Sequence, residues 1–288
     1  MRKPLRGVTT GGERLLPFAD RLKKLPFWLL GVILLGILIL WSIASRNDYR
    51  IIFRATATGL LTTLWISIVA FGLSLLVGLF LGLCRVSPSR IVRETSTFWV
   101  EIVRGVPMLV ILYYIAFIGA PGLVEAVNFL LSPLVRNGIM QPLSVRSIDF
   151  SWRAIIALTL GYGAFISEIF RAGIQSIDAG QWEAAYALGL GRGHVMIRIV
   201  LPQAVRNVLP PLGNEFVAMI KDSALVRALG VQDITQMGKV YAASTFRFFE
   251  TYNVVAFLYL FLTITLSMLV RLLERRLQRG RSRKTAAK

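Results

Sequence analysis

The chain has 288 residues, 55% of them hydrophobic, a net charge of +18 and a mean hydropathy of +0.64. That apolar content exceeds what an ordinary soluble domain carries and points to an integral membrane protein. The basic residues punctuate apolar runs instead of gathering on a soluble face, which argues against nucleic acid, and the single cysteine, Cys84, allows no intrachain disulfide and suggests no zinc site.

Phe27 to Ala44 and Gly59 to Cys84 are apolar runs long enough to cross roughly 30 Å of hydrocarbon at about 1.5 Å per residue, so both are expected to be transmembrane helices. The first loosely resembles a signal peptide ending in Ser42-Ile43-Ala44, but the 26 residues before it are long for that, and a retained helix is expected. Gly78 and Gly82 form a GxxxG pattern that permits close helix packing. Gly105 to Ala120, Ala154 to Phe170 and Val254 to Val270 are the third, fourth and sixth spans. The fifth, Val208 to Ile220, is short and interrupted by Asn214 and Glu215, so it needs either shielding by neighbours or a break. The loop at 120–152 carries three prolines and is a connector with room for a short surface helix.

Lys and Arg favour the cytoplasmic side of a membrane. With the amino terminus inside, the inner segments hold 23 basic residues and the outer ones 10, and the two ends supply 15 of the 23. Both termini are therefore expected in the cytoplasm. So is the connection at 171–206.

That connection contains EAAYALGLGRGHVMIRIVLPQA, residues 183–204. Ala184, Ala185 and Leu188 share a face at helical spacing, Gly189, Gly191 and Gly193 break the run, and Val195, Met196, Ile199 and Val200 restart it. Pro202 is expected to stop or kink the second helix. Glu183, expected near the start of the first, complements its dipole. Physical reasoning leaves two readings open: an amphipathic connector lying on lipid headgroups, or a surface that another protein approaches closely.

The spacing of Glu183-Ala184-Ala185, Gly189, Ile199 and Leu201-Pro202 resembles the EAA loop of the membrane permease subunits of bacterial ATP-binding-cassette importers. Gly180-Gln181, Gln203-Ala204, Arg206, Leu209-Pro210-Pro211, Asn214-Glu215-Phe216 and Lys221-Asp222-Ser223 are similar to the branch that imports polar amino acids of the histidine, glutamine and glutamate type. Arg104-Gly105-Val106-Pro107 resembles its RGTP element, and Ser167-Glu168-Ile169-Phe170-Arg171 its AEIFR element. The resemblance covers roughly residues 55–275. The chain departs from it at Val106, where the branch has Thr, at Ile111, near which it has a polar residue, at Phe165, where it has Tyr, and in reading KDSAL for KDTSL. Each departure replaces a hydrogen-bonding group by an apolar or smaller one.

The resemblance implies an all-α integral membrane protein with about six transmembrane helices, a type I importer core of five preceded by one extra helix. Residues 1–54 would form a basic cytoplasmic tail, the extra helix and a short outer loop. Residues 55–275 would be the permease core, with its coupling loop at about 176–206, and 276–288 a basic tail. Implied partners are a pair of ATPase subunits on the loop, a second permease subunit (a copy or a relative), an extracytoplasmic binding protein, an amino-acid substrate and the lipid of a bacterial cytoplasmic membrane. The chain lacks a GxxxxGK[ST] phosphate cradle, and LGLGRGH at 188–194 has neither its lysine nor a preceding strand. No cofactor is therefore expected in this chain, and ATP with magnesium falls to the partner ATPase.

A charge inside a span costs about 2.5–3.5 kcal/mol on insertion scales, which makes Glu168, Asn214, Glu215, Lys221 and Asp222 candidates for a substrate pathway. Glu168 also stands three residues before Arg171, at helical pairing distance, and Lys221 is long enough to snorkel. An alternative is an ion-coupled secondary carrier with Glu168 or Glu215 as its proton site. Such carriers commonly show internal repeats, and no convincing repeat is found. One histidine, one cysteine and no clustered carboxylates argue against an enzyme.

Overall fold

The structure, a computed structural model, describes residues 27–137 and 140–285, and of Trp28, Leu29 and residues 273–285 the backbone alone. The basic amino-terminal tail and the last three residues lie outside the described residues. The chain divides into two units between Arg50 and Ile51. The first holds α1 (Phe27–Ser45), where the first expected span forms a helix. Ile33, Leu34 and Leu35, successive residues on different sides of it, are all about half exposed, as in a helix that is apolar all round.

Helix α2 (Asn47–Ala57) leads into the second unit, which continues with α3 (Gly59–Arg85), α4 (Arg90–Gly105) and α5 (Met108–Tyr114). A π-helical turn, Ile115–Gly119, joins α5 to α6 (Ala120–Leu130), and α7 (Ser132–Arg136) follows. After α8 (Phe150–Gln175) come α9 (Ala179–Ala187) and α10 (Arg192–Val195), then α11 (Leu201–Asp222), α12 (Ile234–Thr245) and α13 (Phe248–Thr285). Among the described residues no strand occurs.

Helix α8 is the centre of this unit. Of its most apolar stretch 72% is buried, against 22% for Met108–Leu130 and for Phe248–Leu272. Small residues let α3 lie directly on it: a Cβ on Gly78 would stand 2.5 Å from Ile166, and one on Gly82 2.8 Å from Phe170. The GxxxG pair thus serves packing between two helices of the same chain. Ile66, Leu112, Ile155, Leu158, Val208 and Met219 fill the core around this contact. At one end of α8, buried Arg153 donates to the carbonyls of Val145, Ile148 and Ala116, tying the 140–149 loop and the π turn to the bundle. Asp233 caps α12, accepting from the Gln236 N–H at 2.8 Å and the Tyr259 hydroxyl at 3.1 Å, and so pins α12 to α13.

Among the described residues, four helices are long and apolar enough to cross a membrane, Asn47–Arg85, Met108–Leu130, Phe150–Gln175 and Phe248–Leu272, with Leu30–Ser45 a shorter apolar helix. The fifth expected span is α11, continuous over 22 residues through Pro210 and Pro211. It packs against α8 and α13, so of the two options, shielding holds and a break does not occur.

The third expected span is found and runs on to Leu130, but what precedes it differs from expectation. Residues 85–105 were expected as a connection, but Arg90–Gly105 is a helix packed on α3 and α8. Met108 packs against Gly161, near the middle of α8, and the Ala116 carbonyl lies 2.9 Å from Arg153 near its end. Helix α4 and the apolar stretch Met108–Leu130 thus meet at Gly105–Pro107, about midway along α8. Hydropathy hides α4 because Arg93, Glu94, Glu101 and Arg104 share its turns with Val92, Phe98 and Ile102, giving an amphipathic helix without a long apolar run.

Candidate functional site

The interruption at 105–107 follows from proline chemistry. Pro107 disfavours a helical residue before it, and Val106 is extended at φ −98°, ψ 134°, which ends α4. The chain restarts as α5 with Pro107 at its amino-terminal boundary, where no N–H is needed. The break opens a cavity of about 490 Å³ between three elements. Arg104, Val106 and Ile111 line it from the break, Tyr162 and Phe165 from α8, and Glu215 and Asp222 from α11. Glu215, Ala218 and Asp222 recur at three and four residues, so one face of α11 presents them all.

The polar groups of this cavity are oriented. The Tyr162 hydroxyl donates to Asp222 Oδ2 at 2.8 Å. The Arg104 guanidinium lies over the Phe165 ring, 5.7 Å from its centroid, a cation–π geometry. Two carboxylates and one guanidinium thus face a single space, which can meet both ends of a zwitterion. Three of the positions where the chain departs from the polar amino-acid branch, Val106, Ile111 and Phe165, stand in its wall.

Of the expected pathway residues, Glu215 and Asp222 are brought together here. Asn214 and Lys221, seven residues apart, share another face of α11, and both are exposed. Glu168 lies elsewhere. Its carboxylate pairs closely with Arg171, as one expected reading had it, and accepts from Arg85 Nη1 at 2.7 Å. Arg85 is only 5% exposed and also approaches Glu101 at 3.4 Å, which in turn faces Arg104 at 3.8 Å. A chain of alternating charges therefore runs from Arg171 on α8 to the cavity wall.

Sequence reasoning misses Arg85 and Tyr162. Arg85 is visible there only as the end of an apolar run, and its partner Glu168 is 83 positions away. For Tyr162 a signal existed: Tyr162, Phe165 and Glu168 are spaced by three and form one stripe of polar and aromatic side chains.

The expected coupling loop is a helical hairpin. Helix α9 is capped by Asp178, whose Oδ1 accepts from the Gly180 N–H at 2.7 Å. Glu183 is the fifth residue of this helix and exposed, so Asp178, and not Glu183 as expected, answers the dipole at its start. Gly189 has φ +73°, and Leu190 N–H reaches back to the Ala185 carbonyl at 3.2 Å. This is a left-handed helix cap that favours glycine. Helix α10 then passes through a π-helical turn, Met196–Val200, into α11. Of the two expectations for Pro202, a stop does not occur: it sits in the first turn of α11, just after a π-helical turn that accommodates its missing N–H.

Two faces of the hairpin have separate surroundings. Ala185, Val195 and Val200 are buried with Ile174 and Ile177 at the end of α8, and Ile199 packs against this cluster. Ala184 and Glu183 are exposed, as are Leu188 at 79% and Ile197 at 65%. Ala184 and Ala185, expected on one face, are thus divided: the second anchors the hairpin and the first belongs to its free side. Leu201 and Pro202 lie where the hairpin joins α11.

An all-helical bundle with several apolar spans, a polar cavity among them and a helical hairpin at one end is the architecture of a membrane-spanning transport subunit. The chain belongs to the family described as the binding-protein-dependent transport system inner membrane component, matched over residues 74–280. It is 34% identical over 216 residues to the glutamine transport system permease protein GlnP of Escherichia coli (strain K12), covering 75% of this chain and 90% of that one. The arginine transport system permease protein ArtQ of Bacillus subtilis (strain 168) is 33% identical over 220 residues, covering 76% and 91%. A crystal structure of an amino acid ABC transporter with histidines has a chain 34% identical, with a TM-score of 0.65 over 81% of this chain and 98% of that one. The MetNI methionine ABC transporter shares the fold at 19% identity and a TM-score of 0.59, covering 77% and 96%.

Proposed function

We propose that the chain is the permease subunit of an ATP-driven importer that moves an amino acid across a bacterial cytoplasmic membrane. The observation that carries this reading is the cavity at the 105–107 break, where Glu215 and the Tyr162–Asp222 pair stand with Arg104 around about 490 Å³. An α-amino acid fits that chemistry, its ammonium toward the carboxylates, its carboxylate toward Arg104 and its side chain against Val106, Ile111 and Phe165. The relatives named for glutamine and arginine support the substrate class. The apolar wall favours a side chain less polar than those.

Both termini and the 178–200 hairpin lie on the cytoplasmic side in this reading, as the distribution of Lys and Arg supports. A pair of ATPase subunits binds ATP with magnesium and docks on the free side of the hairpin, at Glu183, Ala184 and Leu188. The anchored side passes the force inward: Ala185 packs on the end of α8, and Val200 leads directly into α11. Both helices line the cavity, so a shift of the hairpin changes its walls and alternates access to it. A second permease subunit completes the pathway, and Asn214 and Lys221 lie on an α11 face open toward it. An extracytoplasmic binding protein delivers the substrate.

Reconstitution tests the proposal. The chain is placed in proteoliposomes with its ATPase and binding protein, and uptake of radiolabelled amino acids is followed with ATP inside or with a proton gradient alone. Uptake is expected only with internal ATP and the ATPase present. Gradient-driven uptake without the ATPase would instead establish an ion-coupled carrier.

A further inference from the structure

A second cavity, of about 550 Å³, opens between the hairpin and the α3–α4 connection. Arg85 and Arg93 line it from α3 and α4, and Arg192, Trp182 and Tyr186 from the hairpin. Among the described residues, no carboxylate is in its wall. The rest of the lining is largely apolar, with Val86, Pro88, Ile174 and Met196.

Arg85 supplies an independent observation. Its side chain is 5% exposed, and although its terminal nitrogens meet Glu168 and Glu101, its Nε–H has no hydrogen-bond partner. That nitrogen is itself closed to solvent, so Arg85 offers the cavity its charge and not a free donor. Arg93 is satisfied weakly, by the Ser87 carbonyl at 3.3 Å and by Glu94 at 3.9 Å. Arg192 is exposed and has no ion-pair partner among the described residues.

The form of the site narrows what fills it. A small soluble anion would meet the guanidiniums and leave the apolar half of the cavity uncovered. A lipid headgroup brings both a phosphate and the hydrocarbon that begins beside it. Trp and Tyr settle at headgroup level, basic pockets between spans bind anionic headgroups, and Trp182 and Tyr186 lie next to each other with ring centroids 6.4 Å apart.

We propose that this cavity binds the phosphate of an anionic phospholipid between Arg93 and Arg192, with Arg85 beneath it, and that the lipid thereby braces the hairpin against α3 and α4. The site is independent of which solute the chain carries. It predicts that the bound lipid is lost without loss of the fold when the two outer arginines are neutralised.

The test uses the purified full-length chain and three probes: phosphatidylglycerol, phosphatidylcholine and inorganic phosphate. Native mass spectrometry with titrated lipid measures retention, and thermal melting measures folding. One phosphatidylglycerol is expected to bind in preference to phosphatidylcholine, with affinity falling about fivefold in Arg93→Gln and in Arg192→Gln, and their lipid-free melting unchanged. Millimolar inorganic phosphate is expected not to displace it. Equal retention of the two lipids, or wild-type binding by both variants, overturns the proposal. Full displacement by inorganic phosphate also overturns it, by showing that the source is a soluble anion.

Discussion

The hydroxyl of Tyr162 donates to Oδ2 of Asp222 at 2.8 Å, fastening the middle of α8 to the last turn of α11 across the cavity. A hydrogen bond to a charged group is worth about 1.5–3 kcal/mol. Tyr162→Phe removes the donor and keeps the ring, so insertion and assembly are expected to persist. The carboxylate loses its orientation. Uptake in proteoliposomes at subsaturating substrate is expected to fall about tenfold or more, and uptake within twofold of wild type would show that the pair does not shape the site.

The ion network at Arg85 makes a prediction about stability. Removing one partner of a buried pair leaves the other charge uncompensated at about 3–5 kcal/mol, and here Glu101 remains to share Arg85, so Glu168→Gln is expected to cost about 2–3 kcal/mol. Replacing both partners, Arg85→Met with Glu168→Gln, should recover part of that loss. Melting of the four combinations in detergent gives the coupling directly. Additive effects would show that the two side chains do not depend on one another.

The hairpin turn separates shape from docking. At the left-handed φ of Gly189 a β-branched residue is strained by about 1–2 kcal/mol or more, whereas Asn visits that region readily. Gly189→Val is expected to weaken ATPase association, and Gly189→Asn to keep most of it. Glu183→Lys leaves the turn intact and reverses an exposed charge, so it is expected to reduce association without lowering the melting temperature. Co-purification of the ATPase with each variant reads all three, and wild-type recovery with both Gly189→Val and Glu183→Lys would exclude this hairpin as the docking surface.

The cap of α8 carries a pH dependence. Hydrogen bonds from Ser151 hold the Asp149 carboxyl below its usual range. Because the folded value is depressed, the cap's contribution is fully present above the ordinary carboxylate range near pH 4 and is lost as pH falls through the lower folded value. Asp149→Ala is therefore expected to cost about 1 kcal/mol at pH 7. The difference from wild type should shrink as pH drops below about 4. A difference that stays constant with pH would mean that the capping charge contributes nothing.

Much of this protein is written in local pattern. The spans at Phe27, Gly59, Ala154 and Val254 are long apolar runs, and such runs bury or meet lipid whatever surrounds them. The hairpin turn is legible because a glycine after a helix is the residue that a left-handed φ favours. Asp178 was equally local, an Asp-Ala-Gly start of the kind that caps helices, but the sequence alone does not say which of two nearby acids marks the first turn.

Only the tertiary structure decided the rest. Helix α4 has no apolar run to announce it, and it is held in place by α3 and α8, which cover its inner side. Glu168 and Glu215 look alike as acids inside spans. Packing separates them, setting Glu168 between Arg85 and Arg171 and Glu215 on a cavity wall. The physical reason is that a charge within a bundle takes its role from whatever stands opposite, and for Arg85 and Glu168 or Tyr162 and Asp222 the opposite group comes from 60 to 83 residues away in the chain. Composition and periodicity settle where the long apolar helices form and where the hairpin turns, while the pairing of side chains across the helices is settled by how closely small residues such as Gly78 and Gly82 let them approach.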